Sequence, residues 1–319
     1  MRDARDILRS LKRVLRVFLP SAQVAASEPL VPSEPAVSAE TTAPLPSHWF
    51  RSAALLDVRG LKVSASELAT SPLIVNGVSL SITRGEAVGL VGDSDSGALE
   101  IAQCIAGVLP APAMIRSGSI LFNGAELAGL PQWPSSRRRE SQIAYLPRDP
   151  IGSLDPTVTA GVQLAARLRS SLSLSKPAAN ERSVELLRQA GVEDPLHAMT
   201  VYPRAMSAAL AQRVHIAYAL ADSPHLLVAD NPTESLDESD SSDVLDLLRQ
   251  LPRERDLTMI IVTSSVSVAA LICHRVAVVS DGSVVEYASV SDLFGSPKHP
   301  YTRALLNAAE GDWPDRPAL

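Results

Sequence analysis

The most restrictive feature of this sequence is one short passage. The apolar run Ala87-Val88-Gly89-Leu90-Val91 ends in Gly92-Asp93-Ser94-Asp95-Ser96-Gly97, and a helical pattern (Ile101, Ala102, Ile105, Ala106, Leu109) follows until Pro110. Strand, glycine-bearing loop and helix in that order place backbone N–H groups and a helix N-terminus around one point, a layout suited to an anion such as phosphate. A full phosphate loop reads G-x-x-x-x-G-K-[ST]. Here Gly92 and Gly97 keep the spacing, but Ala98 and Leu99 stand where the lysine and the hydroxyl belong. Taken alone, the passage also suits a plain tight turn between strand and helix.

The surrounding pattern fixes the fold class. Short apolar strands are expected at Leu55–Val58 and Val75–Ile82. Fully apolar ones follow at Leu226–Ala229, Met259–Val262 and Val276–Val279. Strands without polar alternation belong to a sheet covered on both faces. Their alternation with helices predicts an α/β domain with a largely parallel sheet and an antiparallel β part at its N-terminal end. Residues 157–200 read as mostly helical and Ser207–Ala221 as a further helix, together a helical insertion over about 157–221.

Composition limits the partners. The chain has 319 residues and a formal net charge of −6, so it lacks the basic balance of a nucleic-acid binder. Its two cysteines, Cys104 and Cys273, lie far apart in apolar helical patterns and read as core thiols, in keeping with a reducing cytoplasm. Residues 1–18 gather Ile7, Leu8, Leu11, Val14, Leu15 and Phe18 on one helical stripe with arginines and lysine mostly off it. A basic amphipathic helix (1–19) of this kind suits a membrane surface or a partner, and equally a solvated tail. A Pro, Ala, Ser and Glu-rich linker (20–54) is expected next, then the folded domain at 55–296 and a C-terminal extension at 297–319.

Further along, Met206-Ser207-Ala208-Ala209-Leu210-Ala211-Gln212-Arg213 precedes a helix and an apolar strand ending Ala229-Asp230-Asn231-Pro232-Thr233, then Ser235-Leu236-Asp237. With the Gly92–Gly97 loop, this order resembles the ATPase subunits of ATP-binding cassette (ABC) transporters, from about Leu55 to Leu306. That family has L-S-G-G-x-x-Q-R, D-E-P-T and S/A-L-D at these places. Arg148-Asp149-Pro150, Ser153-Leu154-Asp155-Pro156 and the ending Pro297-Lys298-His299-Pro300-Tyr301-Thr302-Arg303-Ala304-Leu305-Leu306 are similar to the peptide and nickel importer branch.

The resemblance implies ATP and Mg²⁺ as cofactors, a second cassette and membrane permease subunits as partners, and a place on the inner face of the cell membrane. It also assigns positions. The nucleotide would meet Gly92, Asp93, Ser94, Asp95, Ser96, Gly97, Ala98 and Leu99, with Ala65 where relatives stack an aromatic ring on adenine. Asp230 would serve the metal. Asn231, Ser264 and Arg148 stand at the places of the catalytic glutamate, the switch histidine and the metal-linked glutamine. Ser207, Ala208, Ala209 and Gln212 form the signature that faces the partner's nucleotide.

Most of these positions have lost their chemistry. A charge-assisted hydrogen bond contributes roughly 1.5–3 kcal/mol, and Ala98 and Leu99 supply none. Asp95 and Glu100 bring anions near the phosphates; unit charges ~4 Å apart repel by about 4 kcal/mol at an effective dielectric near 20. An amide at Asn231 orients water but is a very poor base. The expectation is a cassette inactive at its own site, paired with an active one. A regulator or scaffold on the same fold is the competing reading, and an ordinary working ATPase the third.

Overall fold

The computed structural model describes residues 54–68, 70–127 and 142–310, all within the second of two units, which divide between Ala53 and Ala54. The expected amphipathic helix at 1–19 and nearly all of the linker at 20–54 lie outside these residues.

Six strands form the central sheet: β3 (Ala87–Val91), β6 (Ile143–Leu146), β7 (Leu226–Asp230), β8 (Thr258–Thr263), β9 (Arg275–Ser280) and β10 (Ser283–Ser289), ordered β10-β9-β3-β8-β7-β6. Only β9 and β10 pair antiparallel; the other neighbours are parallel. Every residue of β3, β7 and β8 is buried, as the unbroken apolar runs require.

Successive residues of these strands enter two different cores. Val91, Leu227, Ala229, Met259, Ile261, Val276 and Val278 face one, with Leu164, Leu168, Leu186 and Val214 from the helical layer. Val88, Leu90, Leu226, Val228, Ile260, Val262, Ala277 and Val279 face the other. That second core is completed by Ile101, Ala102 and Ile105 of helix α1 (Ala98–Ala106). Leu56, Val58, Leu61 and Ile82 also enter it, from an antiparallel sheet ordered β2-β1-β4-β5. Its strands are β1 (Ala54–Ser64), β2 (Leu73–Thr83), β4 (Met114–Phe122) and β5 (Ala125–Glu126). The period of two along each central strand is what lets one sheet serve both cores.

The crossover from β6 to β7 holds α2 (Ala160–Leu172), α3 (Lys176–Gln189), the short α4 (Pro195–Ala198) and α5 (Ala208–Leu220), which is the expected helical insertion. Ser175 and Ser207 cap α3 and α5 by accepting from the N–H groups of Ala178 and Leu210. After β7 come α6 (Glu238–Arg255), α7 (Val266–Ile272), α8 (Val290–Gly295) and α9 (Pro300–Glu310). Both cysteines are buried and free, and burial raises the Cys104 thiol to about 12.

Some boundaries differ from the pattern. Helix α1 ends at Ala106 and not at Pro110, because Gly107 adopts φ 71° and its N–H closes on Cys104 while the Val108 N–H reaches Gln103. The strands Met114–Phe122, Ile143–Leu146 and Ser283–Ser289 add to those the apolar runs marked.

The C-terminal helix is fastened by a carboxylate from another strand. Glu286 of β10 accepts the backbone N–H groups of Lys298 and His299, both at 2.9 Å, just before α9. Burial opposes its ionisation, but these bonds and the Lys298 charge outweigh it and hold the carboxyl below its ordinary value of 4.5. A lowered folded-state value gives stability that is present above 4.5 and lost as pH falls through that lower value. Glu286→Gln should therefore melt earlier than wild type near pH 7, with the gap closing as pH falls below 4.5 in calorimetric melts.

Gly97 has a second constraint. Its φ is +91°, and an added Cβ would lie 2.7 Å from the Ile74 carbonyl oxygen. Gly97→Ala should cost about 2–4 kcal/mol in urea unfolding. Gly60→Ala is the control, since φ is +56° there but nothing lies within 4 Å, and its cost should be clearly smaller.

Candidate functional site

The parallel register gathers the candidate residues on one edge. Val91 pairs with Thr263, Asp230 with Val262, and Leu146 with Ala229. The residues that follow these strand ends therefore emerge together: Gly92 after β3, Ser264 after β8, Asn231 after β7 and Arg148 shortly after β6. Ligands of open parallel sheets bind at this carboxyl edge.

The loop from Gly92 to Gly97 keeps the path that its glycines dictate. A Cβ on Gly92 would stand 2.4 Å from the Val279 carbonyl oxygen and 2.5 Å from Ser96 Oγ. The Ser96 N–H bonds the Asp93 carbonyl at 3.0 Å, and the Gly282 N–H bonds the Ser96 carbonyl at 2.9 Å. Ser96 Oγ accepts from the Ala98 N–H at 3.3 Å. Asp93, Ser94 and Asp95 are exposed, whereas Ser96 is buried. From α9, the Tyr301 hydroxyl donates to Asp93 Oδ2 at 2.8 Å. Burial first, and then that bond, raise the Tyr301 phenol.

Positions 98 and 99 belong to the interior. Ala98 is 3% exposed and part of the second core, and Leu99 packs against it. One oxygen of neighbouring Glu100, Oε2, is buried with no hydrogen-bond partner among the described residues. The edge thus carries carboxylates at 93, 95, 100 and 230 and no ammonium at the loop.

Asp230 is 4% exposed, and both its oxygens are engaged. Oδ2 accepts from the Tyr145 hydroxyl at 3.2 Å and Oδ1 from the Asn231 amide at 3.0 Å. Asn231 itself has φ 42°, and its N–H bonds the Val262 carbonyl at 2.9 Å. Ser264 is exposed; beside it the Ser265 N–H bonds Thr263 Oγ1 at 3.0 Å. Arg148 forms an exposed ion pair with Glu234, so its charge goes to a carboxylate of this chain. Ala65 is half-buried just past β1, and its N–H bonds the Pro72 carbonyl at 3.2 Å.

Tested against a magnesium nucleotide, this edge does not fit. The loop brings no cation, Leu99 no oxygen ligand, and the buried carboxylate already has a donor on each oxygen. Among the described residues no group of three or more His, Cys, Asp or Glu side chains could hold a metal ion.

Ser207, Ala208, Ala209 and Gln212 lie elsewhere, at the start of α5 in the helical layer. Ser207 is exposed and its oxygen accepts from the Leu210 N–H at 3.1 Å. Ala208 and Ala209 are half-buried. Gln212 is 3% exposed, and its Nε2 has no partner among the described residues. One turn on, burial first, with Arg167 adding to it, lowers His215 to about 4 against the opposing bond to the Pro150 carbonyl. Arg213 donates to the Gly191 carbonyl at 3.0 Å.

Tyr145, Tyr301 and Gly282 escape the reading of the sequence alone. Tyr301 sits inside the quoted C-terminal motif, but its reach to Asp93 spans 208 positions. Tyr145 is the one polar-tipped residue of Ile143–Leu146, a signal visible only once that strand is recognised.

Comparison with known proteins agrees with this geometry. The profile of the ABC transporter family matches residues 75–234. The dipeptide transport ATP-binding protein DppD of Haemophilus influenzae is 34% identical over 80% of this chain and 77% of its own length. The oligopeptide transport ATP-binding protein OppD of Escherichia coli is 37% identical over 85% and 82%. Among solved structures, the ATP-binding cassette MJ0796, a dimer in a post-hydrolysis state with ADP and phosphate, matches at a TM-score of 0.66. It covers 74% of this chain and 98% of that one at 24% identity, a likeness of fold. With the two-core parallel sheet, the glycine loop on its carboxyl edge and these relatives, the chain belongs to the ABC transporter family.

Proposed function

We propose that this chain is a degenerate ATP-binding cassette subunit of a peptide-type importer, the non-hydrolysing half of a heterodimer whose other cassette is active. The observation that carries the reading is the contrast between its two nucleotide-facing regions. At the loop, Ala98 and Leu99 are drawn into the core. The base position holds Asn231, the switch position Ser264, and Arg148 is spent on Glu234. At the signature, Ser207 still caps its helix, and a helix N-terminus favours an anion. Ala208 and Ala209 add only methyl groups there. In this reading the chain's own loop forms the inert composite site, and its signature closes the partner's ATP and Mg²⁺ site.

The peptide-type assignment is supported by relatives named as dipeptide and oligopeptide transport proteins. It places the chain on the cytoplasmic side of membrane permease subunits; no helix of the described residues is long and apolar enough to cross a membrane itself. The alternative, a regulator or scaffold outside transport, draws on the basic stripe of residues 1–18, which also suits a membrane surface. Pull-down separates the two, since a free regulator brings no permease.

The decisive experiment purifies the full chain with its partner cassette and permeases and measures ATPase activity. The isolated chain should show no turnover, and replacing the partner's catalytic glutamate should lower the complex by ~10²–10⁴-fold. Activity that survives that replacement, or that does not depend on this chain, overturns the proposal.

A further inference from the structure

A buried carboxylate must be compensated by charge or by hydrogen bonds. Asp230 obtains its compensation from two donors. Tyr145 reaches it from β6 at 3.2 Å, and Asn231 from the end of β7 at 3.0 Å. A strap, Tyr145–Asp230–Asn231, thus runs from β6 to the end of β7 along the strand edge.

We propose that this strap stands in for a metal ion, and that Tyr145 is the residue that keeps Asp230 closed to a divalent cation, beyond the losses at Ala98 and Leu99. The inference rests on reading the edge as a lapsed nucleotide site. Magnesium demands near-octahedral oxygen at about 2.0–2.1 Å. To reach Asp230 it must displace or share two fixed donors, and Leu99 offers no ligand in return. Restoring the loop alone leaves that obstacle in place.

The test uses the full-length chain with Mn²⁺ alone and Mn²⁺ with ATP, free Mn²⁺ being read by electron paramagnetic resonance. Wild type and the Ala98→Lys, Leu99→Ser double variant should retain no Mn²⁺–ATP at roughly 1 mM. Adding Tyr145→Phe should tighten binding by about tenfold or more over the double variant. Equal binding by the double and triple variants overturns the proposal. In the wild-type background, Tyr145→Phe should lower Tm by about 2–4 °C, and an unchanged Tm also counts against the strap. If the triple variant does not fold, Asn231→Gly, which suits the φ of 42° and removes the other donor, replaces Tyr145→Phe, with a gain of the same sign expected and no gain overturning the idea. Partner-dependent hydrolysis is not read here, so failure of the strap and failure of the heterodimer are distinguishable.

Discussion

Everything at the site depends on a sheet that is covered on both faces. Because alternate residues of β3, β7, β8 and β9 feed two separate cores, a slip of one residue in any of them would exchange the two sets of side chains. The register is therefore fixed by burial, and with it the height at which each strand ends. Gly92, Asn231, Ser264 and Arg148 share an edge for this reason and not through attraction among themselves. Gly89 contributes from the middle of β3: a Cβ there would stand 3.1 Å from that of Ala269, so the glycine lets α7 lie close to the sheet.

On that fixed frame the edge is held together by ordinary interior forces. Ala98 and Leu99, at the start of α1, take part in core packing. The carboxylate that a metal would neutralise is satisfied by a phenol and an amide. Arg148 is matched to Glu234 at the surface, where an ion pair contributes little. The site is thus self-sufficient as a piece of folded protein.

The sequence made the central sheet legible because fully apolar runs such as Ala87–Val91 leave few alternatives. The glycine spacing located the loop for the same reason, since Gly92 and Gly97 answer to close backbone approach. Strands β4 and β10 were harder. Each has solvent on part of its length, and their apolar pattern is broken by Ser117, Gly118 and Ser119 or by Glu286. The end of α1 was misplaced because a glycine in the left-handed region stops a helix before a proline has to. The strap through Tyr145 and the reach of Tyr301 depend on residues far apart in sequence, so only packing reveals them. Arg148 illustrates the remaining limit: its partner, 86 positions away, decides whether its charge is free.

The loop is held by main chain from three distant places: the carbonyls of Ile74 and Val279 limit its glycines, and the Gly282 N–H fixes Ser96. None of these contacts uses the side chains at 95, 98, 99 or 100. Shape and charge at this edge are therefore inherited separately, and substitutions can erase the second without moving the first. A lineage can then lose an activity in small neutral steps while the surface it shows to a neighbouring subunit stays the same.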